Sequence, residues 1–303
     1  MPHAKKRAST RKLRGFAVVK VDVFSSRPLE GNQLAVFPDA RGLRDSEMQA
    51  LAREMNLAET TFVLPRPRAI ESKQGVKVRI FTVQEELEFA GHPTLGTAFV
   101  LRKRNQGEVA LALKVGRIPV RFEELNGKLF GEMQQRDPVM GSFHDKRAVA
   151  LAAGLGPEVI DPDLPIQTVS TGMPFAIVPL RGLQVIRDFN PSWKRMAEYL
   201  EPTDAKFFYF VTRETVDPKA RLHARMIFYN GEDPATGSAA GCCAAWMVAH
   251  GVARSEERVL IEQGLEIRRP SQIFVRATRT GNEVVNVRVG GNVVEVMRGE
   301  AFL

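Results

Sequence analysis

The chain has 303 residues, 44% of them hydrophobic and 26% charged, the balance of a soluble globular protein long enough for two ordinary domains. It shows no apolar run of membrane-spanning length and no apolar stretch behind its basic N-terminus of the kind a signal peptide carries, so a cytoplasmic protein is expected. Of the net charge of +8, six units sit on Lys5, Lys6, Arg7, Arg11, Lys12 and Arg14, with no acid or aromatic residue among residues 1–14; a disordered solubilising tail is expected there rather than a nucleic-acid surface.

Ordered structure is expected from about Arg14. Phe16 to Phe24 reads as a Val- and Phe-rich strand and Leu34 to Phe37 as a second, joined by Arg27-Pro28-Leu29-Glu30-Gly31-Asn32, a loop with turn chemistry. Residues 45 to 56 read as a helix, capped by Asp45 or Ser46, with Met48, Leu51, Ala52 and Met55 at helical spacing. Strands follow at Thr60 to Leu64 (stopped by Pro65 and Pro67), Val76 to Thr82, Ala110 to Leu113, Ile118 to Phe122 and Leu129 to Met133, the last two joined by a hairpin turn at Asn126-Gly127. Asp137-Pro138 marks a domain boundary. Beyond it come a helix from Lys146 to Ala153, strands at Gln167 to Ser170 and Phe175 to Pro179, a helix at Trp193 to Leu200 and a strand at Phe207 to Val211. A small-residue helix runs to His250-Gly251, and the remainder is β-rich with Gly turns, including Val284 to Val289 and Val293 to Val296. Single helices among strands, without regular alternation, argue for an α+β fold. The expected organisation is a tail at 1–14, a domain at 15–136 and a domain at 137–303, with the last strand returning to the first domain.

Two stretches spell nearly the same pattern: His92-Pro93-Thr94-Leu95-Gly96-Thr97-Ala98 and Asp233-Pro234-Ala235-Thr236-Gly237-Ser238-Ala239. Each follows an apolar strand-like run and leads into small, helix-compatible residues, which suggests a duplicated unit. Proline suits a helix start, and Asp233 before Pro234 would be a good N-cap. Histidine is not a preferred cap, which singles out His92. Gly91, Gly96 and Gly237 remove side chains where something approaches the backbone; a helix start with Thr97 or Ser238 beside it suits a carboxylate guest. Glu59, where a helix hands over to a strand among apolar neighbours, is a candidate proton carrier with a raised pKa. On local sequence alone, Asp233 as a simple cap and Glu59 as a surface acid both stay open. Cys242 and Cys243 are adjacent, with no metal-ligand partner at useful spacing, and read as structural thiols. Gly237-Ser238-Ala239-Ala240-Gly241 has its serine in the wrong place for a nucleophile elbow. No phosphate-binding loop occurs, and the five histidines are scattered, so cofactor-free acid/base work is expected, with no metal.

Several segments together resemble the PhzF-like family of phenazine-biosynthesis isomerases, which shares the diaminopimelate epimerase fold. They are Asp22-Val23-Phe24 with Gly31 to Phe37, Asn56 to Val63, Phe89 to Gly96, Ser170 to Pro174, Glu232 to Gly241, Arg269-Pro270-Ser271 and Val289-Gly290-Gly291. The resemblance covers about Val19 to Phe302. It implies two pseudo-symmetric halves, each a rolled β-sheet around a central helix, with the site in the cleft between them. It also implies that Glu59 shuttles the proton with His92 and Asp233 as partners at the two helix starts. Gly91, Gly237 and Ser238 would bind a substrate carboxylate, and the protein would be a homodimer. The epimerase relatives carry two cysteines at the helix starts; His92 and Asp233 stand there here, which argues against a two-thiol racemase. Ala58 replaces a common serine before the glutamate, and Glu88 a frequent proline before Phe89.

The expected function is a cofactor-independent isomerase that moves a proton on a small carboxylate, in the direction of dihydroaromatic amino acids. A second reading is a non-catalytic small-acid-binding or protein-interaction module, for which Glu59, His92 and Asp233 would lie dispersed.

Overall fold

The helices Gly91–Leu101 and Gly237–Ala249 are apolar on nearly every side, and such a helix has to be enclosed by other elements. The computed structural model describes residues 13–103, 107–125, 127–229 and 231–303. In the first half, β1 (Gly15–Val23), β2 (Asn32–Phe37), α1 (Asp45–Met55), β3 (Glu59–Leu64), α2 (Arg68–Gln74), β4 (Val76–Phe81) and β5 (Glu86–Leu87) precede α3 (Gly91–Leu101). After it come β6 (Glu108–Leu113), β7 (Gly116–Leu125) and β8 (Lys128–Gln134). The second half opens with β9 (Val139–His144), α4 (Lys146–Ala153), β10 (Ile166–Ser170), β11 (Pro174–Leu180), α5 (Leu183–Asp188), α6 (Trp193–Leu200) and β12 (Phe207–Thr212). Then follow β13 (Ala220–Arg225), β14 (Ile227–Phe228), β15 (Gly231–Glu232), α7 (Gly237–Ala249), β16 (Val259–Gln263), β17 (Ser271–Thr280) and β18 (Glu283–Phe302).

Strands β1, β2, β3, β4, β6, β7, β8 and β18 pair in that order, and β18 pairs again with β1, closing a barrel around α3. Beyond β18 the sheet continues through β17, β16, β13, β12, β11 and β10 to β9 at its edge, curling around α7. One strand therefore belongs to both halves. The parallel pair β11 and β12 is buried along nearly its whole length, as the continuous apolar runs Phe-Ala-Ile-Val and Phe-Phe-Tyr-Phe-Val require. Helices cover the outer faces. Met48 and Leu51 of α1 pack on Phe37 and Phe62, whose rings stack 4.9 Å apart. Val149 of α4 and Met196 of α6 pack against Phe208 and Phe210.

The α+β class, the order of elements and the two central helices agree with the sequence expectation. Several details differ. Asp45 is the first residue of α1 and not its cap; Arg44 caps it, its backbone N–H donating to Glu47 Oε2 at 2.8 Å. Arg14, expected in the tail, is tied down: its backbone exchanges hydrogen bonds with Leu303 (2.7 and 3.0 Å) and its guanidinium donates to Glu47 at 2.7 Å. Residues 1–12, with the rest of that basic run, lie outside the described residues, as does the turn residue Asn126. Helices α2 and α5, being short, gave no sequence signal, and neither did strand β9, whose Val-Met-Gly-Ser-Phe-His run lacks the alternation of a half-buried strand. Gly290-Gly291 is not a turn. Both glycines lie within the continuous strand β18 because it passes close to its neighbours: a Cβ at Gly290 would sit 2.6 Å from the Gly131 carbonyl oxygen, and one at Gly291 would sit 2.7 Å from the Phe24 ring.

That packing makes a measurable claim. Gly290→Ala should lower stability in urea unfolding by about 1–3 kcal/mol through overpacking against backbone. Unchanged stability would mean that β8 and β18 can separate at no cost.

Candidate active site

Three segments distant in sequence meet at one cavity of ≈ 700 Å³ lined by both halves. Glu59 is the first residue of β3, paired in parallel register with Leu34 of β2. The chain reaches it from α1 through Asn56, which ends that helix in the left-handed conformation (φ 50°). His92 is the second residue of α3 and is buried. Asp233 follows the small β14–β15 hairpin, its backbone N–H donating to the Met226 carbonyl at 2.9 Å.

His92 Nε2 lies 3.3 Å from Glu59 Oε2, without the alignment of a hydrogen bond, and both buried atoms are left without a hydrogen-bond partner. Asp233 is held more tightly. Its Oδ1 accepts from Asn32 Nδ2 at 2.7 Å, and its Oδ2 accepts from Thr236 Oγ1 at 2.7 Å. The Asn32 amide also donates to the Ala235 carbonyl at 2.9 Å and stands 3.2 Å from His92 Nδ1. An amide nitrogen is a donor only, so its three acceptor neighbours fix its orientation. An Nδ1 that accepts from Asn32 puts the imidazole proton on Nε2, facing Glu59. Behind this layer, Gln263 donates to the Asp233 carbonyl (2.8 Å) and to Thr236 Oγ1 (3.0 Å), and itself accepts from the Tyr209 hydroxyl at 3.0 Å.

Burial governs the charges. It pushes the Glu59 carboxyl up to about 8, with the nearby Asp233 charge adding to the effect. It raises Asp233 to about 6 against the opposing pull of the Thr236 and Asn32 hydrogen bonds. It lowers His92 to about 3, a backbone hydrogen bond at Gln33 opposing the shift. At neutral pH, then, Asp233 is the ionised group, Glu59 holds a proton and His92 is neutral. The close His92–Glu59 contact is accordingly not an ion pair.

The two central helices begin almost in contact: a Cβ on Gly91 would lie 3.2 Å from Gly237 Cα and from the Ser238 nitrogen. The first N–H groups of each helix have no partner within it, and they carry partial positive charge. This corrects the symmetry suggested by the repeated motif. The motif equates His92 with Asp233, yet the residues that meet are Gly91 and Gly237. Helix α3 begins one residue before its histidine, with Pro93 as its third residue, while α7 begins only at Gly237, with Thr236 as N-cap. Asp233 is therefore not a helix cap. Its bonds to Asn32 and Thr236, with Gln263 on its carbonyl, hold residues 233 to 236 outside the helix.

The structure thus brings Glu59, His92, Asp233, Gly91, Gly237 and Ser238 to one cavity, which Ala58 also lines. Cys242 and Cys243 are buried free thiols, and burial pushes Cys242 up to about 11 and Cys243 higher still, so neither supplies a thiolate. Asn32, Thr236 and Gln263 were not singled out as site residues from the sequence. The available signal for Asn32 was a polar amide opening, with Gln33, a strand whose last four residues are apolar.

A barrel and a curled sheet sharing a strand, each around a central helix, form the fold of racemase- and epimerase-type proteins. A hydroxyproline epimerase from Agrobacterium vitis has the same fold, with a TM-score of 0.62 over 96% of this chain and 93% of its own at 12% identity. The chain belongs to the PhzC-PhzF family, described as phenazine biosynthesis-like proteins, whose pattern matches residues 21–299. A trans-2,3-dihydro-3-hydroxyanthranilate isomerase from Pseudomonas aeruginosa is 34% identical, the match covering 94% of this chain and 99% of that protein. A Bacillus anthracis phenazine biosynthesis protein of the PhzF family superimposes with a TM-score of 0.86 at 28% identity, covering 96% of this chain and all of that one. The protein is an isomerase of this family.

Replacing Asn32 tests the cluster directly. Asn32→Ala strips a donor from Asp233 Oδ1, His92 Nδ1 and the Ala235 carbonyl together, and a cost of about 1–3 kcal/mol is expected in urea unfolding. A neutral effect would show that the amide does not join the halves.

Proposed function

We propose that this isomerase works without a cofactor, relocating a proton on a small carboxylate-bearing substrate, with dihydroaromatic amino acids the first class to try. The observation that carries the reading is the unpartnered Glu59 carboxyl oxygen at the cavity, on a group raised to about 8. A carboxyl in that range takes up and returns protons near neutral pH, and isomerisation needs both steps: removal from one carbon and delivery to another. The N–H groups at Gly91, Gly237 and Ser238 would seat the substrate carboxylate, since two helix starts converge there. That seat fixes the reacting carbons relative to Glu59. His92, neutral and with its proton on Nε2, would act as a hydrogen-bond donor beside the acid. Asp233 would take the substrate's polar hydrogens while its own charge keeps Glu59 high. Closing the halves over the substrate would exclude water and strengthen each contact.

The trial substrate is trans-2,3-dihydro-3-hydroxyanthranilate, the compound named for the Pseudomonas relative. Wild type in heavy water should incorporate substrate-linked deuterium, and Glu59→Gln should lose about 10²-fold or more of that rate. Equal exchange in both would sink the assignment of Glu59. The pH dependence of kcat/KM should rise with Glu59 ionisation through about 8. In Asp233→Asn that limb should move to lower pH, because a negative neighbour has gone, but should remain above the ordinary carboxylate range, because burial is the larger cause. An unmoved limb would mean that the two carboxyls do not sense each other.

A homodimeric, cytoplasmic protein fits the same reading. The buried free thiols suit a reducing compartment. Edge strand β9 exposes Val139 (68%) and Phe143 (66%), an apolar edge that a second copy would cover. Sedimentation should give a dimer for wild type and a monomer for Val139→Glu/Phe143→Asp; an unchanged dimer would place the interface elsewhere.

A further inference from the structure

The hollow at the helix starts has a second compartment. A cavity of ≈ 220 Å³ adjoins the large one, and Leu87, Phe89, Met173 and Ser238 line both. Glu59, His92 and Asp233 line only the larger. Val115 and Ile118, from the turn and strand at the start of β7, complete the apolar wall of the smaller one. Of its polar inner residues, Thr171 and Gln135 are already engaged with each other and with the backbone. Thr171 Oγ1 donates to Gln135 Oε1 at 2.7 Å, and Gln135 Nε2 donates to the Gly237 carbonyl at 2.9 Å. The charged lining residues, Glu88 and Arg136, are exposed and mark its outer mouth. What the compartment offers inside is therefore apolar surface. At about 30 Å³ for each water-sized group, its volume suits a ring rather than a methyl.

Its position gives this surface a use. Ser238 sits at the start of α7, where Gly91 meets Gly237, so a ligand anchored there by a carboxylate has the large cavity on one side and the small compartment on the other. Resting on the reading of that carboxylate seat given above, we propose that the compartment receives an apolar arm carried on the carbon next to the substrate's carboxylate. The substrate class is then a branched acid with two arms. One arm reaches toward Glu59, and the other passes Ser238 to lie among Phe89, Val115, Ile118 and Met173. Met173, flexible and shared by both walls, lets rings of different shape enter. A single-ring acid would leave this space empty. Val115 and Ile118, remote from the acid/base cluster, become specificity-determining positions.

Two acids differing by one ring test this with the full-length protein: phenylacetate and diphenylacetate, measured by titration calorimetry. Wild type should bind diphenylacetate about tenfold or more tightly than phenylacetate, as burial of a second ring requires. Val115→Trp and, independently, Ile118→Trp fill the compartment and should bring that ratio close to one, with phenylacetate affinity unchanged; the retained phenylacetate binding shows that each variant is folded. A wild-type ratio near one, or a ratio that survives both substitutions, overturns the compartment's role and leaves the carboxylate seat standing. Failure of wild type to bind either acid overturns the seat, and the compartment's role falls with it. The Glu59→Gln exchange experiment tests the proton chemistry separately.

Discussion

The side-chain amide of Asn32 stands at the centre of this molecule's chemistry. A single nitrogen faces the Asp233 carboxylate, the Ala235 carbonyl and the His92 imidazole, so two N–H bonds are shared among three acceptors drawn from both halves. Buried acceptors that lose their donor are expensive, so the arrangement is strongly preferred over any in which the halves shift relative to each other. The same amide sets the imidazole tautomer and stabilises the charge on Asp233. Structural adhesion and electrostatic tuning therefore reside in one group. Arg269 reinforces the junction from the second half, reaching Asp22 at 2.7 Å and the carbonyls of Glu30 and Gly31 just before Asn32.

The three titratable groups around that amide would be unremarkable in water. Enclosure separates them: the carboxyl with no donor among the described residues is driven furthest upward, the carboxyl served by Thr236, Asn32 and the Ala235 backbone much less, and the imidazole downward. Hydrogen-bond supply, more than proximity, decides which carboxyl keeps its proton. The difference between the two carboxyls goes with Asn32 and Thr236 serving Asp233 and not Glu59.

Much of this was legible in the sequence. Among Glu59, His92 and Asp233, only the histidine ahead of a proline looks out of place as scaffold; on local sequence Glu59 also reads as a surface acid and Asp233 as a helix cap, and the family resemblance is what joined the three. The central helices could be located by their small residues, although enclosure on all sides erased the amphipathic period that usually marks a helix. What stayed hidden depends on contacts between distant segments. Asn32 reads as a turn residue until Asp233 is brought beside it. Gly290-Gly291 looks like a turn until the Gly131 backbone and the Phe24 ring are seen pressing on it. The repeated motif misled in a specific way: its letters align His92 with Asp233, while the backbone aligns Gly91 with Gly237. A local pattern cannot reveal that one helix starts before its motif and the other within it.

The 20-residue strand β18 pairs with β1 and β8 to close the barrel and with β17 to carry the sheet onward, so it is a structural member of both halves. Enzymes that open and close around a substrate commonly swing on a loop whose torsions rotate freely. Here a relative movement of the halves has to be absorbed as twist along a hydrogen-bonded strand. The glycine pair at its middle is pressed against the Gly131 carbonyl and the Phe24 ring, so the shared strand is clamped where it passes from one half to the other.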